Sequence, residues 1–237
     1  MLNCVRRVYR NTKRVARWSL DLPRFGWKGA RELLYWQGRY YQGGMKLAEN
    51  RDNYRRTMLA MAGEQSPLFL NDKIVADFGC GPRGSLCWAE MARERIGIDL
   101  LVDGYARFGI SRHNIHYVRS TEAAIPLPSD HVDFLFTLNA MDHVNDFGGM
   151  MAECARILAP GGQLIASFNL DEPPTISEPQ TLTEELVAGC LLSHFQVLSC
   201  RIGPRGPVGN PYVHLFHDEI PADIQGPRIM WVRAKKL

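Results

Sequence analysis

From Ile74 onward the sequence alternates short β-rich runs with stretches of helical spacing, and this alternation restricts the fold more than any other feature. "KIVADFG", "RIGIDL", "NIHYVR", "HVDFLFTL", "QLIASFN", "FQVLSCRI" and "RIMWVRAK" read as strands. Between them, "SLCWAEMARE" has helical spacing through Leu86, Ala89 and Ala92, and a weak helix is expected near Val102–Phe108. "FGGMMAECARIL" turns Met150, Met151, Cys154, Ile157 and Leu158 inward and stops at Ala159-Pro160-Gly161-Gly162. "LTEELVAGCLL" is the last helix. Strand–helix alternation of this kind predicts an α/β fold, a doubly wound sheet with helices on both faces.

The first strand runs into "DFGCGPRGSL", which spells Gly79-x-Gly81-x-x-Gly84. In a doubly wound sheet a ligand lies beyond the C-terminal ends of the strands, where the strand order reverses, so this loop is the expected binding loop. Two cofactors fit it. A dinucleotide would set its pyrophosphate on the following helix N-terminus, whereas S-adenosylmethionine would bring an ammonium and a sulfonium. Asp77 separates the two: a carboxylate ~4 Å from a phosphate oxygen costs up to about 4 kcal/mol at a surface-like dielectric and is comparably attractive to an ammonium. Asp99, 22 residues further on, can accept hydrogen bonds from the ribose that both cofactors share.

The segments "VADFGCGPRG", "IGIDL", "IPLPSDHVDFLFTLNAMDHVND" and "LAPGGQL", in this order, resemble the class I S-adenosylmethionine-dependent methyltransferases, in particular the small-molecule branch called type 11. The resemblance covers about residues 74–168. It implies a Rossmann-like sheet of seven strands with the last strand antiparallel, and S-adenosyl-L-methionine as cofactor. By motif, Asp77, Gly79 and Gly81 would surround the methionine portion and Asp99 would hold the ribose. Thr121 and Glu122 match the adenine-side position, with Thr in place of the usual Asp. Thr137, Leu138 and Asn139 match the segment beneath the sulfonium. His143, in "MDHVND", is the expected catalytic base for an acceptor hydroxyl, because histidine titrates near neutral pH. Asp142 and Asn169 are further pocket candidates, and His214 and His217 could line the acceptor side. The competing readings are a non-catalytic methyltransferase-fold binding protein and an NAD-dependent oxidoreductase; Asp77 argues against the latter.

The net charge of +3 hides an asymmetry. Residues 1–56 carry 14 Lys/Arg against 4 Asp/Glu, and the other 181 residues carry 14 against 21. Leu2, Val5, Val8, Val15, Trp18 and Leu22 fit one helix face, with Arg6, Arg10, Lys13, Arg14 and Arg17 largely opposite, and Pro23 is expected to end that helix. Such a helix can dock on the body or lie on an anionic membrane surface. Residues 30–62 suggest two helices broken near Gly43-Gly44, with Trp36, Tyr40 and Tyr41 able to form a lid. The expected organisation is a basic helical extension or lid, 1–62, and a methyltransferase domain, 63–237. No apolar run approaches ~20 residues, and the six cysteines lack paired metal spacing. The protein is expected in the cytoplasm, with residues 1–22 either docked on the body or peripheral to a membrane, and without a bound metal. Its acceptor is expected to be a small molecule or glycan-like; no Asn-Pro-Pro-aromatic motif for methylating base amines is present, which argues against nucleic acid.

Overall fold

The computed structural model describes residues 2–44, 46–207, 211–217 and 224–237, with side chains from residue 18 onward. Seven strands form one sheet: β1 (Ile74–Phe78), β2 (Glu94–Asp99), β3 (His116–Arg119), β4 (Val132–Leu138), β5 (Leu158–Leu170), β6 (Phe195–Pro204) and β7 (Arg228–Lys236). Their order is β3-β2-β1-β4-β5-β7-β6, and β7 runs antiparallel to both of its neighbours. The chain therefore reverses its winding between β1 and β4, and the ends of these two strands frame the ligand position of such sheets.

Alternate residues along the central strands divide the core into two layers. Ile74, Ala76 and Phe78 of β1 and Leu164, Ala166 and Phe168 of β5 pack against Met150, Met151 and Cys154 of α4 (Phe147–Ile157). Val187 and Leu191 of α5 (Glu184–His194) belong to the same layer. On the opposite face Val75, Phe136, Ile165 and Trp231 pack against Met58, Leu59, Met61 and Ala62 of α2 (Leu47–Ala62). Asp146 caps α4 by accepting from the Gly149 N–H at 2.9 Å, and Thr183 caps α5 in the same way through Leu186.

The N-terminal helix α1 (Leu2–Tyr41) runs past Pro23, against the expectation that the proline would end it. The break is instead at Gly26, whose φ of 65° and ψ of −178° lie outside helical space. The side chains of the basic face at residues 6–17 lie outside the described residues. Beyond the kink, Leu33 packs with Leu101, Tyr105, Phe108 and Ile110 in a third cluster, which docks this half of α1 on α3 (Val102–Tyr105) and the 3-10 turns after it. The break expected near Gly43-Gly44 is present, since α2 resumes at Leu47.

The segment after the glycine loop also differs from expectation. Residues 81–93 form consecutive turns instead of the helix suggested by Leu86, Ala89 and Ala92. The bonds there are of the tighter i→i+3 kind: Cys87 N–H to Gly84, Ala89 N–H to Leu86, and Ala92 N–H to Ala89. Gly84 has φ 72°, which α-helical geometry excludes, and Pro82 removes a donor. Leu86, Ala89 and Trp88 are nevertheless buried, so the apolar spacing records packing into the α2 layer. Gly84 itself is a packing glycine, because a β-carbon there would meet Cys87 Sγ at 2.8 Å and Leu47 at 3.1 Å.

Candidate active site

A cavity of about 980 Å³ opens at the reversal point between β1 and β4. It sits near the top of the usual range for ligand pockets, ~300–1,000 Å³, which leaves room for two reactants. Its wall joins Gly79, Gly81, Asp99, Thr121, Glu122, Leu138, Asn139 and His143, so eight of the sequence-predicted positions meet in one place. Asp77 and Thr137 lie behind the wall, both buried.

The loop achieves this through backbone conformations that favour glycine. Gly79 (φ 73°) and Gly81 (φ 57°) are left-handed, and their β-carbon positions are already occupied. At Gly79 that atom would lie 2.1 Å from Ala140 Cβ, and at Gly81 2.9 Å from Trp36 Cζ2 of α1. Helix α1 thus rests directly on the loop.

Asp99 ends β2 and is held by three donors. Oδ2 accepts from the Gly81 N–H at 3.1 Å, and Oδ1 accepts from the Leu101 N–H at 2.9 Å and the Tyr105 hydroxyl at 3.1 Å. It therefore fastens the glycine loop to the start of α3, and Oδ2 keeps capacity for a ligand hydroxyl. Burial pushes its carboxyl above the usual carboxylate range, and the bonds from Leu101 and Gly81 oppose that.

Asp77 is 3 % exposed, and its Oδ1 has no hydrogen-bond partner. Burial pushes its pKa up to about 7; the Ser85 hydroxyl acts in the opposite direction and Asp99 adds to the rise. Its charge must reach a ligand through the loop rather than by direct contact along the wall.

On the adenine side, Thr121 Oγ1 accepts from the Ala124 N–H at 2.9 Å and fixes a tight turn, while Glu122 faces Lys28 Nζ at 3.4 Å. At the end of β4, Asn139 takes a left-handed conformation (φ 48°). Its Oδ1 accepts from Ser167 Oγ at 3.0 Å, and that hydroxyl also meets Tyr212 Oη at 2.9 Å.

His143 closes the 3-10 turn Met141–His143 and faces three carboxylates: Glu32 at 3.7 Å, Asp142 at 3.9 Å and Glu178 at 3.7 Å. Burial raises the pKa of Glu32 and of Asp142, and His143 opposes both shifts. Asn169 also joins the wall, donating from Nδ2 to Asp142 Oδ2 at 3.3 Å. The imidazoles of His214 and His217 pair with each other, ring centres 5.5 Å apart, whereas Tyr212 and Phe216 around them form the wall. His113 and His116 do not converge: His113 pairs with Tyr117 and His116 with Glu94.

Sequence reasoning missed Glu32, Lys28 and Glu178. The first two were within reach, because Lys28, Glu32, Tyr35, Trp36 and Arg39 follow helical spacing and all line the cavity. Glu178 lies in an irregular segment between β5 and α5, where no periodicity marks it.

A seven-stranded sheet of this order, with a glycine loop and an acid-ended second strand at its reversal point, defines a Rossmann-like methyltransferase domain. Residues 76–166 match the family model described as "Methyltransferase domain". The malonyl-[acyl-carrier protein] O-methyltransferase of Enterobacter lignolyticus is 30% identical over 135 residues, 56% of this chain and 54% of that protein. The ubiquinone biosynthesis O-methyltransferase of a Bradyrhizobium species is 27% identical over 98 residues, 39% of this chain and 38% of that protein. The chain thus spans about half or less of the curated relatives it matches. Among solved structures, geranyl diphosphate methyltransferase in complex with SAM superposes with a TM-score of 0.55 at 15% identity, over 79% of this chain and 85% of that one. Over residues 76–166 the chain is thus similar to the class I S-adenosylmethionine-dependent methyltransferases.

The residues present fit that cofactor. The orphaned, buried carboxylate oxygen of Asp77 lies under the loop where a cationic ligand end would sit. The turns at residues 81–93 offer no helix N-terminus to a pyrophosphate.

Proposed function

We propose that this chain transfers a methyl group from S-adenosylmethionine to an oxygen of a small-molecule or glycan-like acceptor. The observation that carries the reading is the single cavity in which the glycine loop, Asp99, Thr121-Glu122 and Leu138-Asn139 face His143 across open space. The two curated relatives named above, both O-methyltransferases by name, support oxygen as the accepting atom.

When bound, the cofactor supplies an electrophilic methyl group on a sulfonium. Asp99 would hold the ribose, Gly79 and Gly81 would let the backbone approach the methionine end, and Glu122 with Lys28 would border the adenine. Leu138 and Asn139 would lie beneath the sulfonium, with Asn139 locked by Ser167. Holding acceptor and methyl in line can supply roughly 7–11 kcal/mol of the barrier. His143 is assigned the catalytic role of promoting loss of the acceptor hydroxyl's proton.

Residues 1–62 would act as a lid on the domain 63–237, with Trp36 as its contact on the loop. The basic helix of residues 1–22 would face an anionic membrane surface. Its excess of Lys and Arg supports this. Among the described residues no helix is long and apolar enough to cross a membrane.

The test is calorimetric titration of the full chain with S-adenosylmethionine, its demethylated product S-adenosylhomocysteine, and NAD, followed by acceptor screening with a labelled methyl donor. Binding of the first two without NAD is expected, and binding of NAD alone would overturn the reading.

A further inference from the structure

Asp142, His143 and Glu178 each bring one metal-ligating atom to within 4.8 Å of the others. His143 Nε2 faces both carboxylates, 3.9 Å from Asp142 Oδ1 and 3.7 Å from Glu178 Oε1. Its other ring nitrogen, Nδ1, is 3.7 Å from Glu32 Oε1.

The second observation concerns Asp142 alone. The residue is 5 % exposed; Asn169 Nδ2 fixes its Oδ2, while its Oδ1 has no hydrogen-bond partner and points at the space beside His143 Nε2. A buried carboxylate oxygen left unpaired is costly, and native structures retain one where something else fills the demand.

The donor set is rich in oxygen: Glu32, Asp142 and Glu178 surround one imidazole. The neighbouring cations are turned elsewhere: Lys28 to Glu122 and Asn145, and Arg205 to Glu172.

We propose that Asp142, His143 and Glu178 form a divalent-cation site on the acceptor side of the cavity, leaving coordination positions open for an acceptor hydroxyl and an oxygen next to it. One imidazole nitrogen with two carboxylate oxygens suits Mn²⁺ or Zn²⁺ better than Ca²⁺. Metal–ligand distances of ~2.1 Å place neighbouring ligand atoms about 3.0–3.4 Å apart, so the observed separations, within 4.8 Å, need a closure of up to about 1.5 Å. Glu178 can make it, being on an irregular, partly exposed segment. Glu32, 3.7 Å from Nδ1, would orient the ligating histidine on closing to hydrogen-bond distance.

The site specifies how His143 would promote proton loss and so rests on the methyltransferase reading. The imidazole acts as a ligand, and a hydroxyl bound at the cation ionises more readily than a free one. In the transfer, the acceptor O–H bond breaks with its proton passing to water. The oxygen's electron pair then forms the new O–CH₃ bond as the C–S bond breaks, its pair going to sulfur. The acceptor class is thereby narrowed to molecules with a hydroxyl beside a second oxygen.

The test is titration of full-length protein with Mn²⁺, following the loss of the free-ion electron paramagnetic resonance signal, with and without S-adenosylhomocysteine. One Mn²⁺ per chain is expected to bind. Asp142→Asn and Glu178→Gln should each weaken it at least about tenfold, with S-adenosylhomocysteine affinity by calorimetry unchanged. Glu178→Gln serves as the main variant because its partly exposed position makes misfolding the lesser risk. S-adenosylhomocysteine binding with no loss of the free Mn²⁺ signal, or undiminished Mn²⁺ binding by folded Glu178→Gln, overturns the site and leaves the methyltransferase reading standing. Absence of S-adenosylhomocysteine binding in the unsubstituted protein strikes the methyltransferase reading itself.

Discussion

The indole of Trp36 lies directly over Gly81: a β-carbon on that glycine would come within 2.9 Å of Cζ2 and 3.3 Å of Cη2. Gly81→Ala is therefore expected to fail twice, through its φ of 57° and through displacement of Trp36 and α1. S-adenosylhomocysteine affinity should fall at least about tenfold and stability by ~1 kcal/mol or more. Combining it with Trp36→Ala removes the collision but not the backbone strain, so calorimetry on the double variant should show partial recovery. Full recovery would mean that backbone strain at Gly81 contributes nothing.

Asp99 predicts an unusual failure of a conservative change. Both of its oxygens accept hydrogen bonds, so the amide nitrogen of Asp99→Asn must face a donor whichever way it turns. The variant is expected to lose about 1–3 kcal/mol of stability and at least about tenfold in S-adenosylhomocysteine affinity. Wild-type affinity by calorimetry would remove Asp99 from the binding site.

Asp77 predicts a pH dependence. Its pKa, pushed up to about 7, means that between about pH 4 and 7 the folded protein keeps a proton that the unfolded chain has released. Its contribution to stability is thus fully present below about pH 4 and lost as pH rises through about 7, a change on the order of a few kcal/mol. A cation bound nearby favours the carboxylate, so S-adenosylmethionine affinity should instead rise with pH across the same window. Asp77→Asn should flatten both curves, in denaturant unfolding and in calorimetry respectively.

The basic N-terminal helix predicts sedimentation with vesicles containing anionic phosphatidylserine, strongest at low salt. A chain lacking residues 1–22 should pellet markedly less. Equal, negligible pelleting of both proteins would remove the membrane from the reading.

Much of this site was legible because its residues sit at strand ends, where short motifs mark them. Asp77-Phe78-Gly79, Asp99 and Leu138-Asn139 each follow a β-rich run, and the parallel sheet brings strand ends together without further information. Helix α1 resisted reading at Pro23, because the helix runs on through the proline and the chain bends at Gly26 instead. The segment after Gly81 was misread because buried residues at helical spacing satisfy a series of turns as readily as a helix. Glu178 was invisible because its partners, Asp142 and His143, are 35 or more positions away and nothing periodic links them.

The turns at residues 81–93 also bear on how the floor of the site breathes. A helix there would protect its amides through a cooperative ladder of main-chain bonds, whereas this segment is held by Leu86, Trp88 and Ala89 seated beneath the sheet and by Trp36 above. Such a segment can open locally without unfolding the sheet. Its amide hydrogens should exchange with deuterium well before those of β1 and β4. Occupation of the cavity should slow them most of all, so that the least regular stretch of the domain becomes its most sensitive reporter of a bound cofactor.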